Sequence, residues 1–455
     1  MIAVEVFCLL SLLLVVGKVL RVCIPLLQKL YLPSSVIGGV AGLIVLQLFP
    51  GLIDRELAAV AGKIPGFLIN VVFASLFLGM ATPKVGEMLK LAFPQLCFGQ
   101  ILAWGQYVLG LGITGFVLAP LFGVPPPFGN LLEIGFQGGH GTVGGMTSVF
   151  ENFGWSDGVA LGFTVATAGM IIAVIVGMAL INWATRKGYI VCAERRSNSD
   201  AFHLRGIYRP DEQPAAGRQT VLCDSIDSLG WHCALAGMAI GIGYLGLRGL
   251  QMGEAYCFPD AKVKIFSGFP LFPLCMVAGL LIQFSARAAR VDSLIDRGQM
   301  QRIAGASLDF LVVAAVATIR IEVVVRNWLP LTILIVSGTL LSVLMVIFVA
   351  PKLFRTGWFE RAISDFGQSL GVTATGLLLL RTVDPEDRSG AAESFGCKQL
   401  LHEPFMGGGI CTALALTLVF TIGWVKVFLG SLVLLLVWSL LAALVIVGNR
   451  RARRM

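Results

Sequence analysis

The chain has 455 residues, of which 56% are hydrophobic and 13% charged, with a formal net charge of +8. A soluble protein carries about a quarter of its residues as charged side chains, so this composition excludes a soluble globular protein. In a membrane protein the placement of basic residues matters more than their sum, and we therefore expect no nucleic-acid partner.

Apolar runs long enough to cross a bilayer follow one another along the chain. The first, Val4 to Val19, has no basic residue before it and no small-residue cleavage site after it, which favours a first span over a cleaved signal. The predicted spans lie near residues 3–20, 34–50, 64–81, 91–123, 158–185, 228–250, 265–285, 304–320, 328–351, 392–425 and 427–449. The sequence thus predicts an all-α polytopic membrane protein with about 11 transmembrane helices.

The stretch "EIGFQGGHGTVGGMTSVFENFG", Glu133 to Gly154, interrupts these spans with glycines. Non-helical backbone occurs at membrane depth only where it lines a cavity or is buried in protein, and glycine permits both the turn and close approach of a ligand. We therefore predict a re-entrant hairpin near 130–150. A second is predicted near 360–381, in "ERAISDFGQSLGVTATGLLLLR".

The Lys and Arg residues predict the orientation. With the N-terminus outside and both hairpins re-entrant, most of the 34 basic residues lie on the inner face, as the positive-inside rule requires. If 130–150 crossed fully, Arg186 and Lys187 would face outward instead. The prediction is an N-terminus outside and a C-terminus in the cytoplasm.

A polar stretch at 187–227 has the composition of a solvated cytoplasmic linker and divides the chain into repeats at 1–186 and 228–425. Residues 426–455 add a C-terminal span and a basic tail. Shifting the sequence by 230 positions aligns "FQGGHGTVGG" with "FGQSLGVTAT". The matched pairs are Phe136 with Phe366, Gly141 with Gly371, and Asp157 with Asp387. With the opposite predicted topologies, this indicates an inverted repeat of the kind found in secondary transporters.

Helix ends that meet near the midplane present amide groups to an anion and carbonyl groups to a cation. Hydroxyl groups on the two hairpins add ligands for a carboxylate or Na⁺, and these belong to Thr142, Thr147, Ser148, Ser369, Thr373 and Thr375. Asp309 lies inside a predicted span, where a carboxylate that faces the core is suited to bind sodium, a substrate amine or a proton.

The residues "GGHGT" at Gly138–Thr142, with "FG" at Phe153–Gly154, resemble the bacterial sodium/glutamate symporter family. "YLPSSVIGGVAGLIV" from Tyr31 and "GASLDFLVVAAVATIRI" from Gly305 are also similar to that family. The resemblance implies sodium-coupled uptake of glutamate by a homodimer in the bacterial inner membrane. It also implies an elevator-type mechanism, with a scaffold from the early spans of each half and a moving core that contains both hairpins.

The resemblance also implies the site. The expected substrate ligands are Gln137, Gly138, Gly139, His140, Gly141, Thr142, Ser369, Gly371, Thr373 and Thr375. Of these, Gln137 and Ser369 come from the polar groups of the hairpins and not from the family pattern. The expected ion ligands are Thr142 and Thr373 on the hairpins, and Asp309 and Asp365, whose carboxylates are suited to bind an ion although neither matches the family pattern. The chain differs from the family pattern at Gln137, where serine is usual, and at Asp365, where histidine is expected.

Several alternatives stay open at this stage. The hairpin glycines also suit close helix packing, His140 suits a buried histidine bonded to backbone, and Asp365 suits a helix cap. A proton-coupled carrier or an exporter of another organic anion is the alternative transport function. An ion channel is disfavoured by two unlike loops within one chain.

No enzyme is predicted, and no cofactor beyond Na⁺ as coupling ion. The chain has no H-E-x-x-H or G-x-S-x-G motif, and Pro404 follows His402-Glu403 where a zinc helix would continue. Its ten cysteines form no C-x-x-C pair, so neither a zinc site nor a disulfide framework is indicated.

Overall fold

The computed structural model describes residues 2–48, 55–80, 85–190, 205–259, 266, 269–384 and 388–452, and within them its regular structure is helical, with no β-strand. The first half contains α1 (Ile2–Cys23), α2 (Ser34–Leu48), α3 (Arg55–Ser75), α4 (Val85–Ile113), α5 (Leu131–Phe136), α6 (Gly139–Gly145), α7 (Thr147–Asn152) and α8 (Asp157–Lys187). The second half contains α9 (Ser228–Cys257), α10 (Phe272–Ala288), α11 (Arg297–Ala317), α12 (Ile321–Arg326), α13 (Trp328–Leu344), α14 (Trp358–Val383), α15 (Ala391–His402), α16 (Ile410–Ile422) and α17 (Trp424–Ala452).

Eight helices among the described residues are long and apolar enough to cross a membrane. They are α1, α3, α4 with its continuation to Phe122, α8, α9, α11, α13 with its continuation to Leu353, and α17. Shorter apolar helices accompany them at Ser34–Leu46, Phe272–Ala288 and Ile410–Ile422. The predicted fold class, an all-α polytopic membrane protein, is confirmed, while the number of crossings stays a prediction.

The two halves share an unusual feature. Both α4 and α13 run into a π-helical turn, Thr114–Leu118 in the first half and Met345–Val349 in the second. An Ala-Pro pair follows each turn, at Ala119 and at Ala350. Because π-helical turns are rare, their recurrence at matching places supports the predicted internal repeat. The opposite orientation of the halves stays a prediction.

The single span predicted at 392–425 is wrong. The chain forms α15 and α16 there, separated by residues 403–409. Pro404 cannot continue a helical hydrogen-bond ladder, and Gly407 and Gly408 adopt φ of 67° and 108°. The high apolar content of the segment concealed this interruption.

The chain forms two compact units, and both contain segments of each half. Unit 1 contains Met1–Thr82, His140–Ser156 and Asn198–Ile319. Unit 2 contains Pro83–Gly139, Asp157–Ser197 and Arg320–Met455. The early helices of both halves are thus together in unit 1, and the later helices of both halves in unit 2.

Small residues hold the helices of unit 1 close together. A Cβ atom at Gly17 would lie 2.1 Å from the carbonyl oxygen of Ser34, and one at Gly38 would lie 2.2 Å from that of Leu13. The backbones of α1 and α2 are therefore in direct contact, as in other small-residue helix pairs of membrane proteins. Apolar side chains of α1, α3 and α11 pack around this contact.

Part of the predicted linker is attached to unit 1. The backbone N–H of Arg218 donates to Asp296 (3.1 Å), and the hydroxyl of Thr220 donates to the carbonyl of Leu294 (2.9 Å). Asp227 caps the N-terminus of α9, where its Oδ1 accepts from the backbone N–H groups of Leu229 and Gly230. Residues 191–204 of the linker, the 385–387 segment with Asp387, and the end of the basic tail at 453–455 lie outside the described residues.

In unit 2, α17 packs along α4 through aromatic contacts. Trp424 lies against Gly115, where a Cβ atom would come within 2.3 Å of its ring. Phe116 meets the ring of Trp424 edge-on at 5.3 Å between centroids. The additional C-terminal helix is thus an integral part of unit 2.

Candidate substrate and ion site

Among the described residues of unit 2, three interruptions of helical backbone lie close to one another. The first follows α5 at Gly138 and Gly139, and Gly139 has a φ of 66°. The second lies within α14, at Gly371 and Val372, where Val372 has a φ of 62°. The third is the 403–409 segment. The positive φ of Val372 is strained for a β-branched residue and persists only where surrounding contacts enforce it. Such strain is common at functional sites.

The first two interruptions touch. A Cβ atom at Gly139 would lie 2.4 Å from Cγ1 of Val372, so only glycine fits at that position without displacing the valine. The carbonyl of Gln137 borders the third interruption, 3.4 Å from where a Cβ atom of Gly407 would stand. Three non-helical segments therefore meet within one compact unit.

The helix α14 is a helical hairpin with its tip at Gly371–Val372. Residues nine positions apart in a straight helix are separated by about 13 Å. A Cβ atom at Gly367, however, would lie 2.7 Å from Cα of Gly376, and one at Gly376 would lie 2.4 Å from the carbonyl oxygen of Ser364. The two arms fold back against each other, as predicted near 360–381. That both ends lie on one face of the membrane stays a prediction.

Glu133 carries a buried carboxyl group at the first interruption. Its Oε2 accepts from the hydroxyl of Tyr107 (2.6 Å), and its Oε1 accepts from the hydroxyl of Thr412 (2.9 Å) and the N–H of Gly407 (3.0 Å). All three partners donate, which matches the acceptor capacity of a carboxylate. Glu133 thereby joins α5 to α4 and to the segment that starts α16.

A second chain of hydrogen bonds centres on the buried ring of His402. Its Nε2 lies 3.1 Å from Oε1 of Gln137, and its Nδ1 lies 3.2 Å from Nε2 of Gln100. Trp104 donates to Gln100 in turn (3.0 Å). Donation from Nε2 and acceptance at Nδ1 fit the neutral ring. The side chain of Gln137 is thus fixed at the first interruption.

The third polar group is a buried ion pair. The ammonium of Lys398 lies 3.0 Å from Oδ1 of Asp365, and neither side chain is exposed. It also donates to Oε1 of Gln399 (2.9 Å) and to Gln368. A buried charge of this kind requires a partner, because an unpaired ion in a low-dielectric interior is strongly destabilising.

The hairpin tip connects to this ion pair through hydroxyl and amide groups. Thr373 donates to Oε1 of Glu403 (2.7 Å), and Nε2 of Gln399 donates to both Thr373 (2.5 Å) and Glu403 (2.9 Å). Ser369 lies just before the tip, and its carbonyl accepts from Gln106 (2.7 Å). The non-helical turn of α14 is therefore lined by polar groups from α4, from α15 and from the 403–409 segment.

The predicted site residues are divided between the two units. Unit 2 contains Gln137, Gly138, Gly139, Asp365, Ser369, Gly371, Thr373 and Thr375. Unit 1 contains His140, Gly141, Thr142 and Asp309. His140 and Thr142 are buried in unit 1, where a Cβ atom at Gly141 would lie 2.4 Å from Ile69.

The two predicted aspartates differ in their surroundings. Asp309 lies on α11 with an exposed surface, and Ser35 is its hydrogen-bond partner. Asp365 is buried well inside the first arm of α14, which begins at Trp358. The alternative of a helix cap at Asp365 is therefore wrong. For both residues, ion binding stays a prediction.

The sequence did not predict several polar residues that surround the three interruptions of unit 2. They are Tyr107, Glu133, Lys398, His402 and Glu403. Their signal was the presence of ionisable side chains within otherwise apolar segments, which is costly in a membrane and therefore informative. His402 and Glu403 were considered only as a zinc motif. Among the described residues, no group of His, Cys, Asp and Glu is arranged to hold a metal ion.

A comparison with protein families matches residues 1–384 to the sodium/glutamate symporter family. The chain belongs to this family. The matched stretch includes both predicted hairpins and ends before α15, so Lys398, His402 and Glu403 lie beyond it. No curated protein matches the chain. Membership in the sodium/glutamate symporter family and the apolar helices together identify a multi-pass membrane protein of a transporter family.

Proposed function

We propose that the protein is a secondary active transporter that couples the uptake of glutamate, or a related small carboxylate, to sodium. Membership in the sodium/glutamate symporter family is the observation that carries this proposal. The three touching interruptions in unit 2 support it, since broken helices are where secondary transporters bind substrate and ions. The coupling ion is Na⁺, and the membrane is the bacterial inner membrane.

The substrate site is proposed at the hairpin tip of α14. Thr373 and Thr375 supply hydroxyls there, and Ser369 supplies another before the tip. The first turn of a helix has N–H groups without helical partners, and these favour the carboxylates of glutamate. The amine of glutamate is a suitable partner for Glu403, which already accepts from Thr373.

We further propose an elevator-type mechanism in which unit 2 moves and unit 1 serves as the scaffold. Unit 1 contains the early helices of both halves, and unit 2 contains the α14 hairpin. The division differs from the expected one because His140–Ser156, the later part of the first predicted hairpin, belongs to unit 1. A homodimer, with its N-terminus outside and C-terminus inside, completes the proposal.

Uptake of labelled glutamate into proteoliposomes tests the function. An imposed inward sodium gradient is expected to drive accumulation above the equilibrium level, and an equal potassium gradient is not. Accumulation that is indifferent to sodium would reject sodium coupling.

The alternative is a proton-coupled carrier or an exporter of another organic anion. The buried ionisable groups Glu133, Asp365 and Lys398 favour it, since such groups in membranes often carry protons. A proton gradient imposed in the absence of sodium distinguishes the two functions. Accumulation under that gradient alone would support the alternative.

A further inference from the structure

The ammonium group of Lys398 is held by three oxygen atoms. These are Oδ1 of Asp365 at 3.0 Å, Oε1 of Gln399 at 2.9 Å, and Oε1 of Gln368. We name Asp365, Gln368 and Gln399 the oxygen cluster. An ammonium has three N–H donors and no acceptor; it donates to the two amide oxygens of this cluster, and the Asp365 carboxylate supplies the opposite charge. All four side chains are buried in unit 2.

The three oxygen atoms of the cluster are also suitable ligands for a hard metal cation. One carboxylate and two amide carbonyl oxygens are ligands of the type that bind oxygen-preferring ions in proteins. The oxygen cluster has a charge of −1, so a monovalent cation neutralises it as the ammonium does. A divalent cation would leave a buried positive charge, which is costly.

The position of the lysine is specifically accommodated. A Cβ atom at Gly99 would lie 2.4 Å from Cε of Lys398, so the glycine provides space for the lysine stem. The occupant of the oxygen cluster also orients Gln399, whose Nε2 donates to Thr373 and Glu403 at the hairpin tip. A cation in this place therefore organises groups of the proposed substrate site.

We propose that the oxygen cluster is a site for a small monovalent cation, Na⁺ or Li⁺, which in this chain is filled by the tethered ammonium of Lys398. The lysine acts as a built-in cation, and a free ion occupies the site when the ammonium is removed. This inference rests on the proposed function in one respect. If the protein is a sodium-coupled carrier, one positive charge of its loaded site is supplied by the chain itself.

Thermal unfolding of the purified full-length protein tests this inference. The variants are Lys398→Ala, Lys398→Ser, whose hydroxyl adds an oxygen ligand, and the double variant Asp365→Asn with Lys398→Ala. Each is measured in NaCl, LiCl, KCl and N-methylglucamine chloride at equal ionic strength. Any shift of the wild-type midpoint between salts reports ion binding elsewhere in the protein, and this shift is subtracted from that of each variant.

Both single variants are expected to unfold at lower temperature than the wild type in N-methylglucamine chloride. Na⁺ should then raise their midpoints by several degrees more than it raises that of the wild type, with a saturable dependence on concentration. The double variant, which lacks the carboxylate charge, should respond only as the wild type does. Lys398→Met, which fills the space without a charge, is the matched control and should also lack the additional response.

Equal sodium responses in the wild type and both single variants would overturn the inference. Failure of both single variants to fold in NaCl would overturn it as well, since a bound ion should replace the missing charge. These outcomes do not involve the substrate. Absence of glutamate uptake by the wild type would instead count against the proposed function alone.

Discussion

The two units bury different chemistry. Unit 1 brings helices together through glycines and apolar side chains, as at Gly17 and Gly38, where the backbones of α1 and α2 touch. Unit 2 buries ionisable and amide side chains that hydrogen-bond to one another around three helix interruptions. Unit 1 also buries polar side chains, including His140 and Thr142, but the hydrogen-bonded groups that surround the α14 hairpin tip lie in unit 2. The comparison teaches that the proposed substrate site draws on the polar interior of unit 2.

The largest effect is expected from Gly376→Ala in the α14 hairpin. Its new Cβ atom would meet the carbonyl oxygen of Ser364 at 2.4 Å, so the arms must separate at a cost of about 3 kcal/mol or more. Both the unfolding midpoint and the affinity for glutamate should fall, the latter more than tenfold. Gly396→Ala on α15, where the added methyl group meets nothing within 4 Å, is the control. Unaltered affinity in Gly376→Ala would place the substrate elsewhere.

A slightly smaller effect, on stability alone, is expected from Gly38→Ala in unit 1. The added Cβ atom would meet the carbonyl oxygen of Leu13 at 2.2 Å, but α1 has an exposed outer side and can shift, so we expect a loss of about 2 to 3 kcal/mol. Gly246→Ala is the control, because its added Cβ atom meets nothing within 4 Å, and it should lower the stability little. The folded fraction should retain wild-type affinity for glutamate. A loss of affinity as large as that of Gly376→Ala would end the distinction between the units.

Glu133→Gln should destabilise unit 2 by about 2 kcal/mol. Three groups donate to the carboxylate, and an amide has only one oxygen, so at least one buried donor loses its acceptor. The unfolding midpoint measures this loss, and Glu151→Gln at an exposed position is the matched control. Equal midpoints for the two variants would show that the Glu133 contacts contribute little.

The smallest effect is expected from Asp157→Asn at the start of α8. Arg320 and Arg326 each contact its carboxylate, at 2.8 and 2.7 Å, but their side chains are 51% and 72% exposed. Exposed ion pairs contribute below about 1 kcal/mol and are screened by salt. The difference in midpoint should therefore shrink at high ionic strength. A large, salt-independent loss would reveal buried ion pairing that the exposure does not indicate.

The sequence predicted the fold class because long apolar runs are local signals. The spaced glycines of 360–381 indicated a break in that segment, and the break at Gly371–Val372 lies within it, while the re-entrant course stays a prediction. The sequence placed Gly139, Gly371 and Thr373 in one site through the inverted repeat and the family resemblance, and that assignment stays a prediction. It did not predict Glu133, Lys398 or His402, because their partners lie on helices distant in sequence. The single span at 392–425 was wrong because hydropathy averages over the break at Pro404. A helix cap stayed open as an alternative to ion binding at Asp365, because its partner Lys398 cannot be read from the local sequence.

The central claim is that the hairpin tip of α14 binds the substrate of a sodium-coupled carrier. Equilibrium binding of glutamate to purified Thr373→Val and Thr382→Val, with and without Na⁺, tests it most directly. Both variants lose a hydroxyl from α14, but Thr382 donates only to its own helix, at the carbonyl of Leu378, whereas Thr373 donates to Glu403 at the tip. We predict about tenfold weaker sodium-dependent binding for Thr373→Val and wild-type binding for Thr382→Val. Equal, wild-type affinities in both variants would contradict the claim.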